Sequence, residues 1–554
     1  MYRYDTILAG LERNVLAAYP TQVLNSDRRE DGAFVSDSAR IPVANHGNHS
    51  RVLAMAGYAF LADGSSLRGD DELFDRLLRG IAFQKRWQRE DGLIDNVSVN
   101  WDSPTATAFT VELLAPIVQL ARDRFAEGDE RAGKVADDLG EYILSGSEGA
   151  LGKGFHTPNH RWVVCAGLAQ AMTLFSEFDA RSYVDDILAE TIDINDDGEY
   201  IERSTGTYNA VCNRCLRIMA DHLGRPNLLD PVRRNLDLMA HMFHPDWTIE
   251  TAMSNRQDRG ERKTPSVASS YFDLAQRDGN GTWAAIADRL TSPHSGDPWL
   301  LHPFIVNPAY REESLERVEP SDDYRRVYST ARIVRTRRGA LSATSLADND
   351  VPFTAVYGDV HLKSLRVGGS YHGATAFVAD TFESTDTGVI LVHLGENKQL
   401  PHYDLPVGRP VAYDEWRDLR PNREKWHQPT FDIHLSAEEV DSGFNLHLKT
   451  TGGIEGVTFW AEWCFATPGQ WETDHQSMDA VNGQTVLLRD GYGIYHHGTS
   501  AVRLGPGKAD HRMPILRQDD DTFRVLMALT SPIDHTFELR FGSWSTGTFE
   551  FLDG

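Results

Sequence analysis

Three polar side chains of the segment HTPNHRW at 156–162 precede an apolar run, VVCAGLAQAMTLF. Thr157 is a residue type that caps helices, and the proline after it suits the first helical position, where no amide hydrogen is needed. Asn159, His160 and Arg161 then fall in the first turn of a predicted helix, where unpaired backbone amides and the helix dipole favour an anion. The pattern predicts an anion-binding helix start, with a solvent-exposed polar turn as the alternative.

A second polar motif lies at 196–209, DDGEYIERSTGTYN. Ser204 or Thr205 can cap the next helix, which puts Tyr208 in its first turn. One helix, predicted near 182–191, separates the two motifs. Since alternate helices of an up-and-down array run parallel, their N-termini emerge at one end. We therefore expect Tyr208 to lie at the same mouth of a helical domain as the asparagine and histidine of the first motif.

Other polar residues are candidates for the same mouth. The segment NHGNHSR places His46 and His49 just ahead of a predicted helix, and a capped helix start is an equally supported interpretation. The segment VNWDSP supplies Trp101 and Asp102, an aromatic ring beside a carboxylate, as a sugar-binding surface would need. These four residues are therefore predicted to contact substrate if the mouth binds a sugar.

The periodicity of apolar residues changes along the chain. Up to about residue 300 the apolar residues have helical spacing, and after about 325 short β-rich segments alternate with glycine, aspartate and asparagine turns. Many helices followed by many strands predict two domains, α then β. We expect a helical domain over 1–300, a linker over 301–325 and a β domain over 326–554. The helical segments are predicted near 48–62, 70–89, 104–122, 161–178, 205–222 and 226–244.

Composition restricts the class of protein. The chain has 554 residues, 41% of them hydrophobic, which indicates a globular protein with more than one core. The net charge of −26 and the lack of a basic segment argue against nucleic-acid binding. The N-terminal sequence lacks a signal-peptide core, no later run is long enough to span a bilayer, and four cysteines fit a reducing compartment. We expect a cytoplasmic protein that does not bind a membrane. Its oligomeric state stays open, and a homo-oligomer is one of the alternatives.

The two motifs together resemble those of a known group of enzymes. The first motif has an asparagine–histidine pair that opens an inner helix, and roughly fifty residues later the second has the tyrosine of "DG.Y.E.S..Y". This combination is similar to the motifs of the heparinase II/III-like and alginate-lyase-like polysaccharide lyases. The segment GDVHLKSLRVGGSYHGATAFVADTF at 358–382 looks like a third stretch of that family, with His361 in the place of its histidine and a departure at Lys363. The resemblance implies an incomplete α/α toroid followed by an antiparallel β-sandwich that contributes a catalytic histidine.

The reaction implied by the resemblance is β-elimination at a uronic acid, which gives an unsaturated uronate product. A base removes the C5 proton, so negative charge builds on the neighbouring carboxylate and must be stabilised. Asn159 and His160 suit that role, and Tyr208 would protonate the leaving oxygen. His361 is the base for anti elimination, whereas Tyr208 would be the base for syn elimination. The other residues assigned to substrate binding are Arg203, Arg161, His46, His49, Trp101 and Asp102.

For syn elimination a cation must stand beside the tyrosine, because a nearby positive charge favours the ionised phenol. Arg203 or protonated His160 is the expected cation. No cofactor is expected to be required, and a structural zinc or calcium ion in the β domain has no support in the sequence. A cytoplasmic lyase meets imported oligosaccharides rather than polymers, so we expect exo action on uronate oligosaccharides. The identity of the uronate and the stereochemistry of elimination stay open.

Two other functions stay open at this point. An α/α-toroid glycoside hydrolase acting on uronides would need two carboxylates, which Asp91, Asp95 and Asp102 could supply. A sugar-binding protein without catalysis would account for the 12 tryptophans but would leave Asn159, His160 and Tyr208 without a purpose.

Overall fold

The chain folds into two compact units. A computed structural model describes residues 1–36, 40–97, 99–312, 314–370, 374–395, 403–426, 431–512 and 521–552. The first unit comprises Met1–Ala240, Ser254–Asp258 and Arg262–Pro320, and the second comprises His241–Met253, Arg259–Glu261 and Ser321–Gly554. The first is mainly helical and the second is rich in strands, which confirms the predicted order of α followed by β.

The helical unit is built from amphipathic and fully apolar helices joined by polar turns. Ser103 caps one of them by accepting a hydrogen bond from the Ala106 amide, and the proline that follows takes the first helical position, as predicted. A two-stranded ribbon, β1 (Ile94–Asn96) and β2 (Asn100–Ser103), precedes that helix. The α-helices of this part of the chain are α1 Tyr4–Ala18, α2 His49–Leu61, α3 Asp71–Trp87, α4 Pro104–Ala126, α5 Glu130–Ala150, α6 Pro158–Leu174, α7 Arg181–Ala189, α8 Tyr208–His222, α9 Leu229–Met242, α10 Ala268–Asp278, α11 Gly281–His294 and α12 His302–Val306.

Helix α4 is longer and more apolar than the sequence-based expectation allowed. By length and composition alone it could cross a membrane, although we expected no such run. In the folded chain, however, 89% of its 18-residue apolar window is buried inside the protein. This helix packs chiefly against α5 and α6, so its apolar surface serves the interior of the helical unit.

The β-rich unit contains two large sheets in the residues that the structure describes. One has the strand order β17-β16-β19-β20-β22-β14-β13-β10-β9, with β23 beside β22. The other has the order β18-β21-β15-β7-β6-β5-β4-β3, with β8 beside β7. Neighbouring strands are antiparallel except for the parallel pair β18 and β21. Apolar residues of both sheets, such as Leu365 and Leu446, belong to one hydrophobic core.

The strands of this unit are β3 Asp323–Tyr328, β4 Ile333–Arg338, β5 Leu341–Leu346, β6 Phe353–Tyr357, β7 Val360–Ser370, β8 Ala374–Ala376, β9 Thr381–Ser384, β10 Gly388–His393, β11 Tyr403–Asp404, β12 Lys425–Trp426, β13 Phe431–Val440, β14 Gly443–Gly452, β15 Thr458–Phe465, β16 Gly469–Thr473, β17 Gln476–Ala480, β18 Thr485–Leu487, β19 Gly493–His497, β20 Ser500–Gly505, β21 Phe523–Thr530, β22 Asp534–Ser545 and β23 Thr548–Phe551. A short helix, α13 (Glu415–Leu419), lies between β11 and β12.

A buried arginine holds the segment His241–Met253 within the β-rich unit. Arg335, which has no exposed surface, donates hydrogen bonds to the carbonyl oxygens of His241, Met242 and Phe243. The carboxylate of Glu250 accepts hydrogen bonds from the hydroxyls of Thr344 and Thr354 on the sheet. The bonds from Arg335 satisfy backbone carbonyls at the end of α9 that no intrahelical amide can reach.

Candidate active site

The start of α6 is closed by a carboxylate of the chain itself. Thr157 has the extended backbone of an N-cap, but its side chain makes no capping bond. Instead, Glu202 Oε2 accepts hydrogen bonds from the backbone N–H of Asn159 at 3.2 Å and from its side-chain Nδ2 at 2.7 Å. An anion therefore does lie at this helix start, as the dipole favours, but the anion is Glu202.

Asn159 is buried rather than presented to a ligand. Its relative exposure is 0%. Its Nδ2 donates to Thr157 Oγ1 at 3.1 Å as well as to Glu202, so both amide hydrogens are engaged. The expected direct contact between Asn159 and a substrate carboxylate stays a prediction, and it would require one of these internal hydrogen bonds to break.

Tyr208 lies at the start of α8, where the sequence predicts it. Its backbone N–H donates to Ser204 Oγ at 3.0 Å, but the N-cap position is Thr207, whose side chain makes no capping bond, so the predicted cap at Ser204 or Thr205 is corrected. Ser204 in turn donates to the buried carboxylate of Asp258 at 2.9 Å, and Asp258 also accepts from the Gly206 amide at 3.0 Å. The first turn of α8 is thus fixed to the loop 254–258 of the same unit.

That loop supplies two residues that surround the Tyr208 ring. The Arg256 guanidinium carbon lies 4.9 Å from the ring centroid, and the Tyr208 hydroxyl donates to Gln257 Oε1 at 3.2 Å. A cation over the ring stabilises negative charge on the phenol oxygen, and an amide oxygen can orient the hydroxyl proton. Neither residue is among those predicted from the sequence, although the polar run SNRQD between two helices is a visible signal.

Glu202 and Arg256 join the two helix starts. Oε1 of Glu202 lies 3.3 Å from Nε of Arg256, and Glu202 is only 5% exposed. Burial raises the pKa of Glu202, against the opposing effects of the hydrogen bond from Asn159 and of the Arg256 charge. In the sequence, Glu202 appears only as part of the second motif and is assigned no role of its own.

His160 is half-buried beside these groups, and its burial favours the neutral ring. Burial lowers its pKa to about 4, and the nearby His156 and Arg256 act in the same direction. Its Nδ1 is buried without a hydrogen-bond partner in the described part of the chain. Burial thus disfavours the protonated His160 considered as the cation beside Tyr208, and the cation observed over the phenol ring is Arg256.

His46 lies close to His160, whereas His49 belongs to the core. The His46 ring stacks on Phe109 with centroids 4.2 Å apart, and Phe109 meets His160 edge-on at 6.2 Å. His49 has no exposed surface; its Nδ1 accepts from the Phe34 amide at 3.0 Å and its Nε2 lies 3.0 Å from the Gly80 carbonyl oxygen. The predicted substrate contact of His49 is therefore corrected to a structural role.

Solved structures with the same architecture cover nearly the whole chain. A heparinase III gene product is 11% identical and superposes with a TM-score of 0.52, over 98% of this chain and 85% of that one. A xanthan lyase of Paenibacillus is 10% identical and superposes with a TM-score of 0.53, over 97% of this chain and 56% of that one. This chain has the fold of these lyases. The resemblance inferred from the motifs is thereby confirmed at the level of fold. No family model matches the sequence, and no curated protein matches it in sequence.

Within this lyase fold, both arginines predicted to bind substrate have partners inside the protein. Arg161 forms ion pairs with Asp193 at 2.7 Å and Glu190 at 3.3 Å. Arg203 donates from Nε to Glu199 at 2.9 Å. Both cations thus take part in ion pairs within the protein, their substrate contacts stay predictions, and Arg256 is the arginine over the Tyr208 ring.

The residues near the β1–β2 ribbon are exposed to solvent or paired with nearby basic residues, rather than with the residues around Tyr208. Trp101 is 70% exposed. The exposed Asp102 pairs with Arg89 at 2.5 Å, and Asp95 pairs with the same arginine at 3.3 Å. Asp91 pairs with Lys153 at 3.2 Å. A hydrolase built on these aspartates would need one of them to act as an acid with a raised pKa. Burial raises the pKa of Asp91, but the Leu93 amide and Lys153 lower it by more, so the pKa lies below its usual value.

His361 lies in the β-rich unit of the lyase fold, where it occupies β7 and pairs with Val356 on β6. Its backbone carbonyl accepts from the Ala466 amide at 3.0 Å, and its ring centroid is 6.4 Å from that of His244. Among the residues described, no group of three or more histidine, cysteine, aspartate or glutamate side chains is arranged to hold a metal ion.

Proposed function

We propose that this protein is a lyase that cleaves uronate-containing oligosaccharides by β-elimination and leaves an unsaturated uronate. The observation that carries the proposal is the arrangement around Tyr208: a phenol at a helix start, a guanidinium over its ring at 4.9 Å and an amide oxygen 3.2 Å from its hydroxyl. A general acid for a departing sugar oxygen needs a proton to give and a stabilised conjugate base. Both are provided here.

In the proposed reaction Tyr208 protonates the bridging oxygen as the bond from C4 breaks. Arg256 stabilises the phenolate that results, and the neutral His160 donates one N–H toward the substrate carboxylate, where charge builds as the C5 proton leaves. Asn159 supports His160 from the buried side of the same helical turn. His46 is assigned to sugar binding because its ring stacks on Phe109, which in turn contacts His160 edge-on.

The base that removes the C5 proton is assigned to one of two residues. Tyr208 would take this proton in syn elimination, with Arg256 as the cation that favours its ionised form. His361 is retained as the base for anti elimination, as the resemblance implies. Replacement of His361 by alanine separates the two: full activity assigns the base to Tyr208.

The finer architecture and setting belong to the same proposal. We assign an incomplete α/α toroid to the helical unit and an antiparallel β-sandwich to the strand-rich one, as the likeness to heparinase III supports. The enzyme would act in the cytoplasm on imported oligosaccharides from their ends, with no cofactor required, and would bind neither nucleic acid nor membrane. Trp101 and Asp102 keep a proposed role in binding the more distant sugars.

Elimination and hydrolysis can be distinguished by whether an oxygen atom from water enters the product. Hydrolysis in water enriched with heavy oxygen places the label at the new reducing end, whereas elimination places no label there and gives a product pair lighter by one water molecule. We expect unlabelled, unsaturated products from wild type and none from Tyr208→Phe. Tyr413→Phe, at a tyrosine that is 96% exposed, is the matched control and should behave as wild type. Labelled ends would overturn the proposal in favour of the hydrolase.

A further inference from the structure

Glu202 makes contacts that a simple helix cap would not need. A capping side chain satisfies backbone amides of the first turn. Glu202 does this for Asn159 from a position 43 residues further along the chain, and it also holds the asparagine side chain at 2.7 Å. The residue next to Asn159 is His160, so the carboxylate fixes the helical turn that presents this histidine.

The same carboxylate reaches the other half of the site. Its second oxygen lies 3.3 Å from Arg256 Nε, and Arg256 covers the Tyr208 ring. An arginine side chain has several freely rotating bonds, so it stays over a ring only if something fixes its charged end. In the described residues, Glu202 is the carboxylate whose ion pair with Arg256 can do so.

A buried charge is costly unless it is paired and hydrogen-bonded, and here burial disfavours the charged form. A glutamine would fit the same space without that cost. The presence of a glutamate therefore needs a reason that depends on its charge, and Arg256 provides one.

We propose that Glu202 is a positioning residue that fixes the distance between His160 and the Arg256–Tyr208 pair by binding both helix starts at once. The inference rests on the proposed function and adds a residue to it. Glu202 touches no reacting atom in this account; it acts through Asn159 on one side and through Arg256 on the other.

The test compares charge with shape at one position. Glu202→Gln keeps the shape and loses the charge, whereas Glu202→Asp keeps the charge and is shorter by one methylene. We expect Glu202→Gln to lower kcat by up to about 10²-fold with little change in KM, because a small displacement of a catalytic group has effects of this size. Glu202→Asp should retain more turnover than Glu202→Gln. A residue that only supports folding would give the opposite order, since glutamine fits better.

The control is another buried, paired carboxylate of the same unit. Asp273 is 1% exposed and binds Arg217 at 2.7 Å and Arg277 at 3.0 Å, so Asp273→Asn should lower stability without lowering kcat. A kcat of Glu202→Gln equal to that of wild type would overturn the inference.

A second readout does not depend on activity. The carbon NMR signal of the Tyr208 phenol, identified by its loss in Tyr208→Phe, should move in Glu202→Gln and stay in place in Asp273→Asn. If wild type cleaves no uronate oligosaccharide, the proposed function fails, and this signal still decides about Glu202. An unmoved signal would overturn the positioning role.

Discussion

Replacement of Arg256 by methionine is expected to lower turnover without removing substrate binding. The guanidinium carbon lies 4.9 Å from the centre of the Tyr208 ring. A unit charge at that distance stabilises a phenolate by about 3 kcal/mol at an effective dielectric constant of about 20, and solvent at this partly exposed arginine makes that figure an upper limit. Since about 1.4 kcal/mol corresponds to a factor of ten, kcat should fall by about 10- to 100-fold.

The assay is the initial rate of unsaturated product formation over a range of oligosaccharide concentrations. Arg256→Lys should fall between wild type and Arg256→Met, because lysine keeps the charge but not the planar group that covers the ring. The matched control is Arg233→Met, which removes a partly exposed arginine paired with Asp278 at 2.8 Å in the same unit. If kcat of Arg256→Met stays within about twofold of wild type, the electrostatic role of Arg256 is refuted.

Three further outcomes are expected. Burial lowers the pKa of His49 to about 4, so between about pH 6.5 and 4 the unfolded chain binds a proton that the folded chain does not. The free energy of unfolding therefore falls as pH falls through this window, by on the order of 2–3 kcal/mol. Urea unfolding of wild type and His49→Gln at two pH values measures this difference. Arg335→Met should cost about 3–5 kcal/mol in thermal unfolding, because it removes the positive charge beside the buried Glu250 and the donors to three backbone carbonyls, and adding Glu250→Gln should recover part of the loss. Asp102→Asn should keep kcat for glycan cleavage near the wild-type value, because its proposed role is in binding and would change KM instead; a loss of kcat would favour the hydrolase.

Local signals in the sequence predicted the helix starts of the site. Capping preferences act within a few residues and predicted a helix start just before Tyr208, and the structure places this tyrosine in the first turn of α8, with Thr207 rather than Ser204 at the N-cap. The order of helices followed by strands was equally accessible, because the spacing of apolar residues changes from the helical to the strand period.

The partners of those helix starts could not be read from the sequence in the same way. Arg256 reaches Tyr208 only because the buried Asp258 fixes its loop to α8, and that contact joins residues about fifty positions apart. The segment holding His46 and His49 offered two similar histidines, and burial separated their roles. A pattern of residue types does not record which side chain the fold will cover.

The central claim is elimination with Tyr208 at the chemistry, and ultraviolet absorbance of the conjugated double bond tests it most directly. Wild type, Tyr208→Phe and Tyr413→Phe would be incubated in parallel with a panel of uronate oligosaccharides. The account predicts rising absorbance for wild type and Tyr413→Phe and none for Tyr208→Phe. New reducing ends without absorbance, or undiminished absorbance from Tyr208→Phe, would contradict it.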